Sequence, residues 1–358
     1  AGSTTKRRDT CPALSSRAIG RVGLTEHDTT DDRRGRTPDP EVTDRTPPPP
    51  HTPPARPADA DHRNWFEAIA PAWTLPYGQL ARFDRPIGAW LLLFPCWWSQ
   101  SLAEIAANQS YPNIWFWILF FVGAFVMRGA GCAYNDFVDR DIDRHVARTA
   151  NRPIPSGRVA PRAALAFAAL LCLIGLAVLL QFNTYTIVLG ASSLLLVAVY
   201  PFAKRFTNWP QLVLGLTFKW GALVGWTAIA GSLAPPAVLL YVGCIAWTIG
   251  YDTIYAHQDR EDDGVWGVKS TARLFGGNTH TALAALYVVA LLFWIAAVWL
   301  AGASWPVFVA LAAVALHFVW QITTLDITSS TNCLYRFKSN RIVGWIFFAG
   351  LVTDIIFI

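Results

Sequence analysis

The 358-residue chain has little charge for its length: 15% Asp, Glu, Lys and Arg against 53% hydrophobic residues. Its six cysteines, Cys11, Cys96, Cys132, Cys172, Cys244 and Cys333, include no CxxC pair. Five of them lie in or near apolar segments, so neither a disulfide framework nor a zinc site is expected. The seven histidines have no HExxH or comparable spacing, which argues against histidine-bound metal chemistry. Nothing points to a nucleic-acid partner. The scarcity of charge is also uneven, and that unevenness divides the chain in two.

Residues 1–64 hold 11 Lys/Arg and 10 Asp/Glu, with abundant Thr, Ser and Pro, including Pro47-Pro48-Pro49-Pro50. Such a stretch cannot bury enough apolar surface to offset its chain entropy and is expected to be a disordered, partly polyproline tail. Its first 24 residues carry Lys6, Arg7, Arg8, Arg17 and Arg21 against one acid, Asp9. That pattern suits a remnant of a mitochondrial transit segment or a dispensable bacterial tail. Residues 65–358 form the second region, dominated by Trp, Phe, Leu, Val and Ala, in runs too long and too weakly amphipathic for a soluble helix. The expected fold class is an all-α polytopic membrane protein.

With about 20 apolar residues needed to cross a bilayer, nine spans are expected, at 86–106, 114–133, 162–181, 184–201, 210–230, 236–256, 281–300, 304–324 and 341–357. The cations give an independent check. Arg82 and Arg85 precede span 1. Arg140, Arg144, Arg148, Arg152 and Arg158 follow span 2, with Arg162 at the loop's end, Lys204 and Arg205 follow span 4, Arg260, Lys269 and Arg273 follow span 6, and Arg336, Lys338 and Arg341 follow span 8. The loops after spans 1, 3, 5 and 7 contain no Lys or Arg. Nine spans therefore put every loop cation on one side, expected to be cytoplasmic or matrix by the positive-inside rule. Nine of the 14 Asp/Glu after residue 64 fall in two segments on that same side.

The first acidic segment runs from Arg128 through Asn135, Asp136, Asp139 and Asp141 to Asp143. If span 2 continues as a helix, Arg128, Asn135, Asp139 and Asp143 share one face, because their separations of 7, 4 and 4 follow the helical period. The second contains Asp252, Asp259 and Asp263, spaced 7 and 4, with Glu261 and Asp262 between the last two. An isolated DxxxD is often a solvated helix end. Two such faces on one side of an acid-poor membrane domain instead suggest cations held between them, because closely packed carboxylates repel unless neutralised. Mg²⁺ takes a few carboxylates and completes its shell with water and substrate phosphate.

At these residues the chain resembles the intramembrane aromatic prenyltransferase superfamily, and most closely its 4-hydroxybenzoate polyprenyltransferase branch of ubiquinone biosynthesis. The superfamily's NDxxDxxxD motif is matched by Asn135, Asp136, Asp139 and Asp143, and its DxxxD motif by Asp259 and Asp263. Longer strings carry the resemblance further: Arg82-Phe-Asp-Arg-Pro-Ile-Gly, Arg148-Thr-Ala-Asn-Arg-Pro-Ile-Pro-Ser-Gly, Tyr200-Pro-Phe-Ala-Lys-Arg, Tyr251-Asp-Thr-Ile-Tyr-Ala-His-Gln-Asp and Gly267-Val-Lys-Ser-Thr-Ala. It extends from about residue 73 to the C-terminus.

The resemblance implies nine transmembrane helices around a central cavity open to lipid, and Mg²⁺-assisted transfer of a polyprenyl group from polyprenyl diphosphate to the ring carbon ortho to the hydroxyl of 4-hydroxybenzoate. By it, Asn135, Asp136, Asp139, Asp143, Asp259 and Asp263 are assigned to metal, and Arg140, Lys204, Arg205 and Lys269 to the phosphates. Asp252 joins Asp139 and Asp259 in the catalytic set, as the group that orients or deprotonates the phenol. Arg82 or Arg128 would hold the benzoate carboxylate, unless they pair structurally with nearby acids. The membrane would be a bacterial cell inner membrane or the mitochondrial inner membrane. The same fold acting on homogentisate, a naphthoate or haem is the nearest alternative, and a cation-coupled transporter the more distant one.

One residue departs from the branch's pattern. Lys219 stands where Asn is expected and is the only Lys inside a span, roughly 13 Å deep at 1.5 Å per residue. An unpaired ammonium there is costly. It is expected to pair with a cluster carboxylate, to bind the substrate carboxylate, or to impair the enzyme.

Overall fold

The computed structural model describes residues 65–145, 149–202, 207–259 and 269–357, and the N-terminal tail lies outside them. All regular structure among these residues is helical. Two short helices, α1 (Trp65–Ile69) and α2 (Leu75–Leu80), lead into α3 (Ile87–Ala106), α4 (Ile114–Asp143), α5 (Pro161–Leu179) and α6 (Thr184–Val199). Then come α7 (Pro210–Phe218), α8 (Gly221–Ala230), α9 (Pro235–Ala256), the short α10 (Thr271–Phe275), α11 (Thr279–Leu300), α12 (Trp305–Thr323) and α13 (Ser330–Phe357).

Each of the nine expected spans falls on helix, although not every one has the length and apolarity to cross a bilayer. Among the described residues, seven helical stretches do. The chain is therefore an integral membrane protein. The remaining two are α6, at 16 residues, and α3, which has the length but is diluted by Ser99, Gln100, Ser101 and Glu104. Those four side chains are buried against neighbouring helices.

Three boundaries differ from the sequence expectation, each for a local reason. Helix α4 runs for 30 residues, about 45 Å, so its acidic end projects well past a hydrocarbon core of about 30 Å. Helix α13 begins at Ser330, before its apolar stretch, carrying Arg336 and Lys338 in its first turns. The fifth span is broken: α7 ends at Phe218, with Lys219 as its C-cap, and α8 starts at Gly221.

The helices pack unevenly. Trp98 on α3 is wedged among Trp247 (5.4 Å between ring centroids), Trp294 (5.3 Å) and Phe347 (4.8 Å) from α9, α11 and α13. Its indole N–H donates to the Gly344 carbonyl (3.1 Å), and that of Trp247 to Asn340 Oδ1 (2.8 Å). Lipid tails are as apolar as these side chains, so such close packing and polar contacts, rather than water exclusion, hold the helices together. Gly344 is required here: a β-carbon would lie 2.1 Å from the Phe94 ring. Helices α3 and α8 touch as tightly, since a β-carbon at Gly225 would sit 2.3 Å from the Cys96 carbonyl. The other side of the bundle, enclosed by α3 to α9 and the first turns of α13, is hollow.

Candidate functional site

The hollow is a cavity of about 720 Å³. Much of its wall is apolar, with Leu119, Phe120, Leu176, Leu179, Phe182 and Val224 among the residues deepest along their helices. One end is polar. There Arg82, Arg128, Arg152 and Lys338 face the cavity together with Asn135 and Asp252. Cations from four separate parts of the chain thus come to one mouth, from the turn before α3, from α4, from the segment before α5 and from α13.

Helix α4 continues unbroken through Asp143, as the 7-4-4 spacing predicts. Asn135 Nδ2 donates to Asp139 Oδ2 (3.1 Å), one helical turn on. Asn135 lines the cavity, while Asp139, only 2% exposed, lies behind it. Asp143 likewise stands behind Arg152, whose Nη1 donates to Asp143 Oδ2 at 2.8 Å. The same Nη1 donates to Asp136 Oδ1 (3.1 Å), and Arg82 Nη2 donates to both Asp136 oxygens at 2.8 Å.

Arg82 adopts a left-handed backbone, φ 62°. Its Nη1 donates to the Gln79 carbonyl at 2.8 Å. The conformation costs on the order of 1–2 kcal/mol for a residue with a β-carbon, which the ion pair to Asp136 helps offset. Arg128 lies against α3, where a β-carbon on Gly88 would come within 2.6 Å of its Nε, and its guanidinium stands 4.8 Å from the Phe218 ring centroid. Gly88 leaves the space that lets Arg128 lie at the mouth.

Asp252, near the end of α9, interacts with Arg128 and with the Gln211 side chain. Gln211 Oε1 in turn accepts from the Thr271 backbone N–H (3.1 Å). The amide therefore bridges α10 to the carboxylate. Helix α7 supplies Gln211, α9 supplies Asp252 and α4 supplies Arg128, so three chain segments converge on one carboxylate facing the cavity.

Sequence reasoning selected several of these residues and missed others. Asn135, Arg82, Arg128 and Asp252 all line the cavity. Arg140 does not: it turns back onto its own helix, with Nη1 donating to the Phe137 carbonyl (2.8 Å) and Nη2 3.6 Å from Asp141. Lys269 does not line it either. Lys204, Arg205, Asp263 and the side chain of Asp259 lie outside the described residues. Arg152 and Gln211 were overlooked as site residues. The Arg-Pro pair of the Asn151-Arg152-Pro153 string was the available signal for Arg152, whereas Gln211 sits in an apolar run with no motif around it.

Lys219 is fully buried and does not line the cavity. Its ammonium donates to the Leu91 carbonyl (2.5 Å) and lies 4.7 Å from the Trp247 ring centroid and 5.3 Å from that of Tyr251. Among the described residues it forms no salt bridge with a carboxylate. The chemistry has a local cause. Pro95, inside α3, has no N–H, so the carbonyl four residues back, that of Leu91, loses its helical partner. Lys219 supplies the missing donor.

Asn135 and Asp139 are in contact and Asp143 lies one turn on along the same face, oxygen donors of the kind a hard divalent cation takes, although among the described residues no three His, Cys, Asp or Glu side chains are gathered closely enough to hold one by themselves.

Residues 92–350 match the UbiA prenyltransferase family. The chain is 49% identical over 290 residues to the mitochondrial 4-hydroxybenzoate polyprenyltransferase of Arabidopsis thaliana, covering 81% of this chain and 71% of that one. It is 48% identical over 285 residues to the mitochondrial 4-hydroxybenzoate polyprenyltransferase of Homo sapiens, covering 79% and 76%. Among solved structures, the UbiA homologue of Aeropyrum pernix superimposes with a TM-score of 0.63 at 28% identity, over 74% of this chain and 97% of that one. The UbiA homologue of Archaeoglobus fulgidus bound to GPP and Mg²⁺ shares the fold, with a TM-score of 0.57 at 17% identity over 79% of this chain and the whole of that one.

Proposed function

The chain belongs to the UbiA prenyltransferase family, and from that premise we propose how its cavity works. The protein transfers a polyprenyl group from its diphosphate to 4-hydroxybenzoate, the aromatic precursor of ubiquinone, and its residues divide that task between them. The observation that carries the reading is a single cavity with a cation-rich mouth and an apolar body. It matches a substrate with a diphosphate head and a hydrocarbon tail.

The head belongs at the mouth, where Arg82, Arg128, Arg152 and Lys338 supply positive charge. As the bond between the allylic carbon and diphosphate oxygen breaks, negative charge grows on the leaving group, and fixed guanidinium groups stabilise it without reorganising. Divalent cations, Mg²⁺ in this reading, would be held by Asn135, Asp139 and Asp143 and by Asp259 and Asp263 of the second motif, and would supply further neutralisation of the departing diphosphate. The tail lies along Leu119, Phe120, Leu176 and Phe182, which keep water from the allylic cation.

The acceptor ring belongs between the mouth and the apolar wall, beside Asp252. New carbon–carbon bond formation ortho to the hydroxyl leaves one proton to be removed from that ring position. Asp252, held by Gln211 and faced by Arg128, is the carboxylate placed to polarise the phenol or to take that proton. The benzoate carboxylate is matched by Arg128, which lines the same mouth. The setting is the mitochondrial inner membrane, as the naming of the relatives suggests, with the basic mouth toward the matrix by the positive-inside rule.

The test is an assay of detergent-solubilised protein with geranyl diphosphate and 4-hydroxybenzoate, with and without Mg²⁺. Prenylated product is expected only with the metal, and Asp139→Ala should cut turnover by on the order of 10²- to 10³-fold, the loss typical of removing one transition-state electrostatic group. Equal product with and without added metal after chelation would sink the metal assignment. No product with the metal present would sink the function.

A further inference from the structure

Asp136 is the second residue of the Asn135-Asp136 pair, and the motif assigns it to metal. Its surroundings point elsewhere. Both of its oxygens receive Arg82 Nη2 at 2.8 Å, and Oδ1 also receives Arg152 Nη1 at 3.1 Å. The carboxylate is 1% exposed and does not line the cavity, whereas both arginines do. The two cations come from separate segments, 54 residues before Asp136 and 16 residues after it. We propose that Asp136 is a positioning residue that holds Arg82 and Arg152 side by side at the mouth as a paired anion-binding group for the diphosphate, rather than a ligand of the metal. The inference rests on the diphosphate reading above.

Three observations support it. Two guanidinium groups brought to one mouth repel each other, and a shared carboxylate behind them permits the approach. Arg82 holds a left-handed backbone, φ 62°, a conformation that persists only where the surroundings fix it, and its ion pair to Asp136 is part of what fixes it. Arg152 contacts Asp136 and Asp143 through Nη1 alone. Among the described residues its Nε and Nη2 make no hydrogen bond, and they remain to meet an anion on the cavity side.

The experiment compares the full-length wild type with Asp136→Asn in detergent. It measures the KM for geranyl diphosphate, the KM for 4-hydroxybenzoate and the Mg²⁺ concentration for half-maximal rate. It also measures thermal stabilisation by inorganic pyrophosphate. With the clamp loosened, the geranyl diphosphate KM is expected to rise roughly tenfold, in line with the loss of a charge-assisted hydrogen bond. Pyrophosphate stabilisation should weaken in parallel, while the Mg²⁺ dependence and the 4-hydroxybenzoate KM stay at wild-type values. A higher Mg²⁺ requirement with an unchanged geranyl diphosphate KM would make Asp136 a metal ligand and overturn the proposal, and so would unchanged kinetics throughout.

If Asp136→Asn does not fold, Arg152→Lys decides. It keeps the charge but loses the planar fork, so the geranyl diphosphate KM should rise, and an unchanged KM overturns the clamp. A wild type that pyrophosphate stabilises but that transfers no prenyl group would sink the functional reading alone. The clamp would then be judged by the pyrophosphate measurement on the variants.

Discussion

Two buried carboxylates sit at opposite ends of the bundle and are stabilised in opposite ways. Asp136, at the cavity mouth, is met by charge: two arginines from distant segments. Glu104, fully buried at the far end of α3, is met by neutral donors. Its Oε1 accepts from Gln100 Nε2 and from the Asn113 backbone N–H, both at 2.8 Å. Gln100 Nε2 also donates to the Asn113 carbonyl (2.9 Å), and Asn113 caps α4 through Phe116 N–H. The far end is thus a hydrogen-bonded clasp between the end of α3 and the start of α4. The difference teaches where chemistry is expected. A structural carboxylate needs only donors, and backbone amides supply them. A mouth built from several cations must assemble charge that would otherwise repel, and it needs counter-charges to do so.

The strongest way to break this comparison is at Asp252, a mouth carboxylate that is not consumed by a salt bridge among the described residues. Asn at this position keeps the size and the contact with Gln211 but accepts no proton. With both substrates saturating, Asp252→Asn is expected to lower kcat by about 10²- to 10⁴-fold, the range for loss of a general base. The thermal midpoint should hold near the wild-type value. A variant with near-normal kcat would place proton removal elsewhere and reduce Asp252 to another structural carboxylate, like Glu104.

Much of this architecture was legible in the sequence because a bilayer imposes a coarse rule. Apolar runs of the right length and one-sided cations placed each span on helix. The α4 face was legible too, because Arg128, Asn135, Asp139 and Asp143 recur at the helical period and the helix does not stop between them. Three-dimensional partnerships were not. Nothing in the spacing says that Asp136 faces two arginines while Asp139, three residues on, contacts Asn135. Arg140 carries the same charge as Arg152 and lies inside the motif, yet it folds back onto Phe137. Gln211 is invisible because its role depends on α10 and α9 meeting it.

Lys219 sits between the two ends and sharpens the comparison, because it is a cation that behaves like the far-end group. The sequence leaves three roles open for it: pairing with a cluster carboxylate, binding the substrate carboxylate, or impairing the enzyme. Instead it satisfies the carbonyl that Pro95 leaves without a helical donor, under the faces of Trp247 and Tyr251. Lys219→Met fills a similar volume but donates nothing. The variant is expected to be destabilised by about 1–3 kcal/mol, the cost of leaving one buried acceptor unmet. Thermal unfolding in detergent reads this directly. Turnover per folded molecule should stay within about twofold of wild type, since Lys219 does not line the cavity. A large fall in kcat with unchanged stability would move Lys219 to the mouth's side of the comparison.

The smallest effect is expected at Glu104 itself. Replacing the carboxylate by its amide, Glu104→Gln, preserves an oxygen able to accept from both Gln100 and Asn113. It removes only the charge assistance, so the loss in stability should be below about 1 kcal/mol. Glu104→Ala removes the acceptor altogether. It leaves the Gln100 amide and the Asn113 N–H to find new partners and should cost about 2–3 kcal/mol. If neutral donors are sufficient at the far end, the amide variant is nearly silent while the alanine variant is not, and neither moves the KM for geranyl diphosphate. At the mouth the same chemical change, Asp136→Asn, is expected to be anything but silent. Equal responses of the two amide variants would mean that the distinction between charge-paired and hydrogen-bonded carboxylates carries no functional information in this protein.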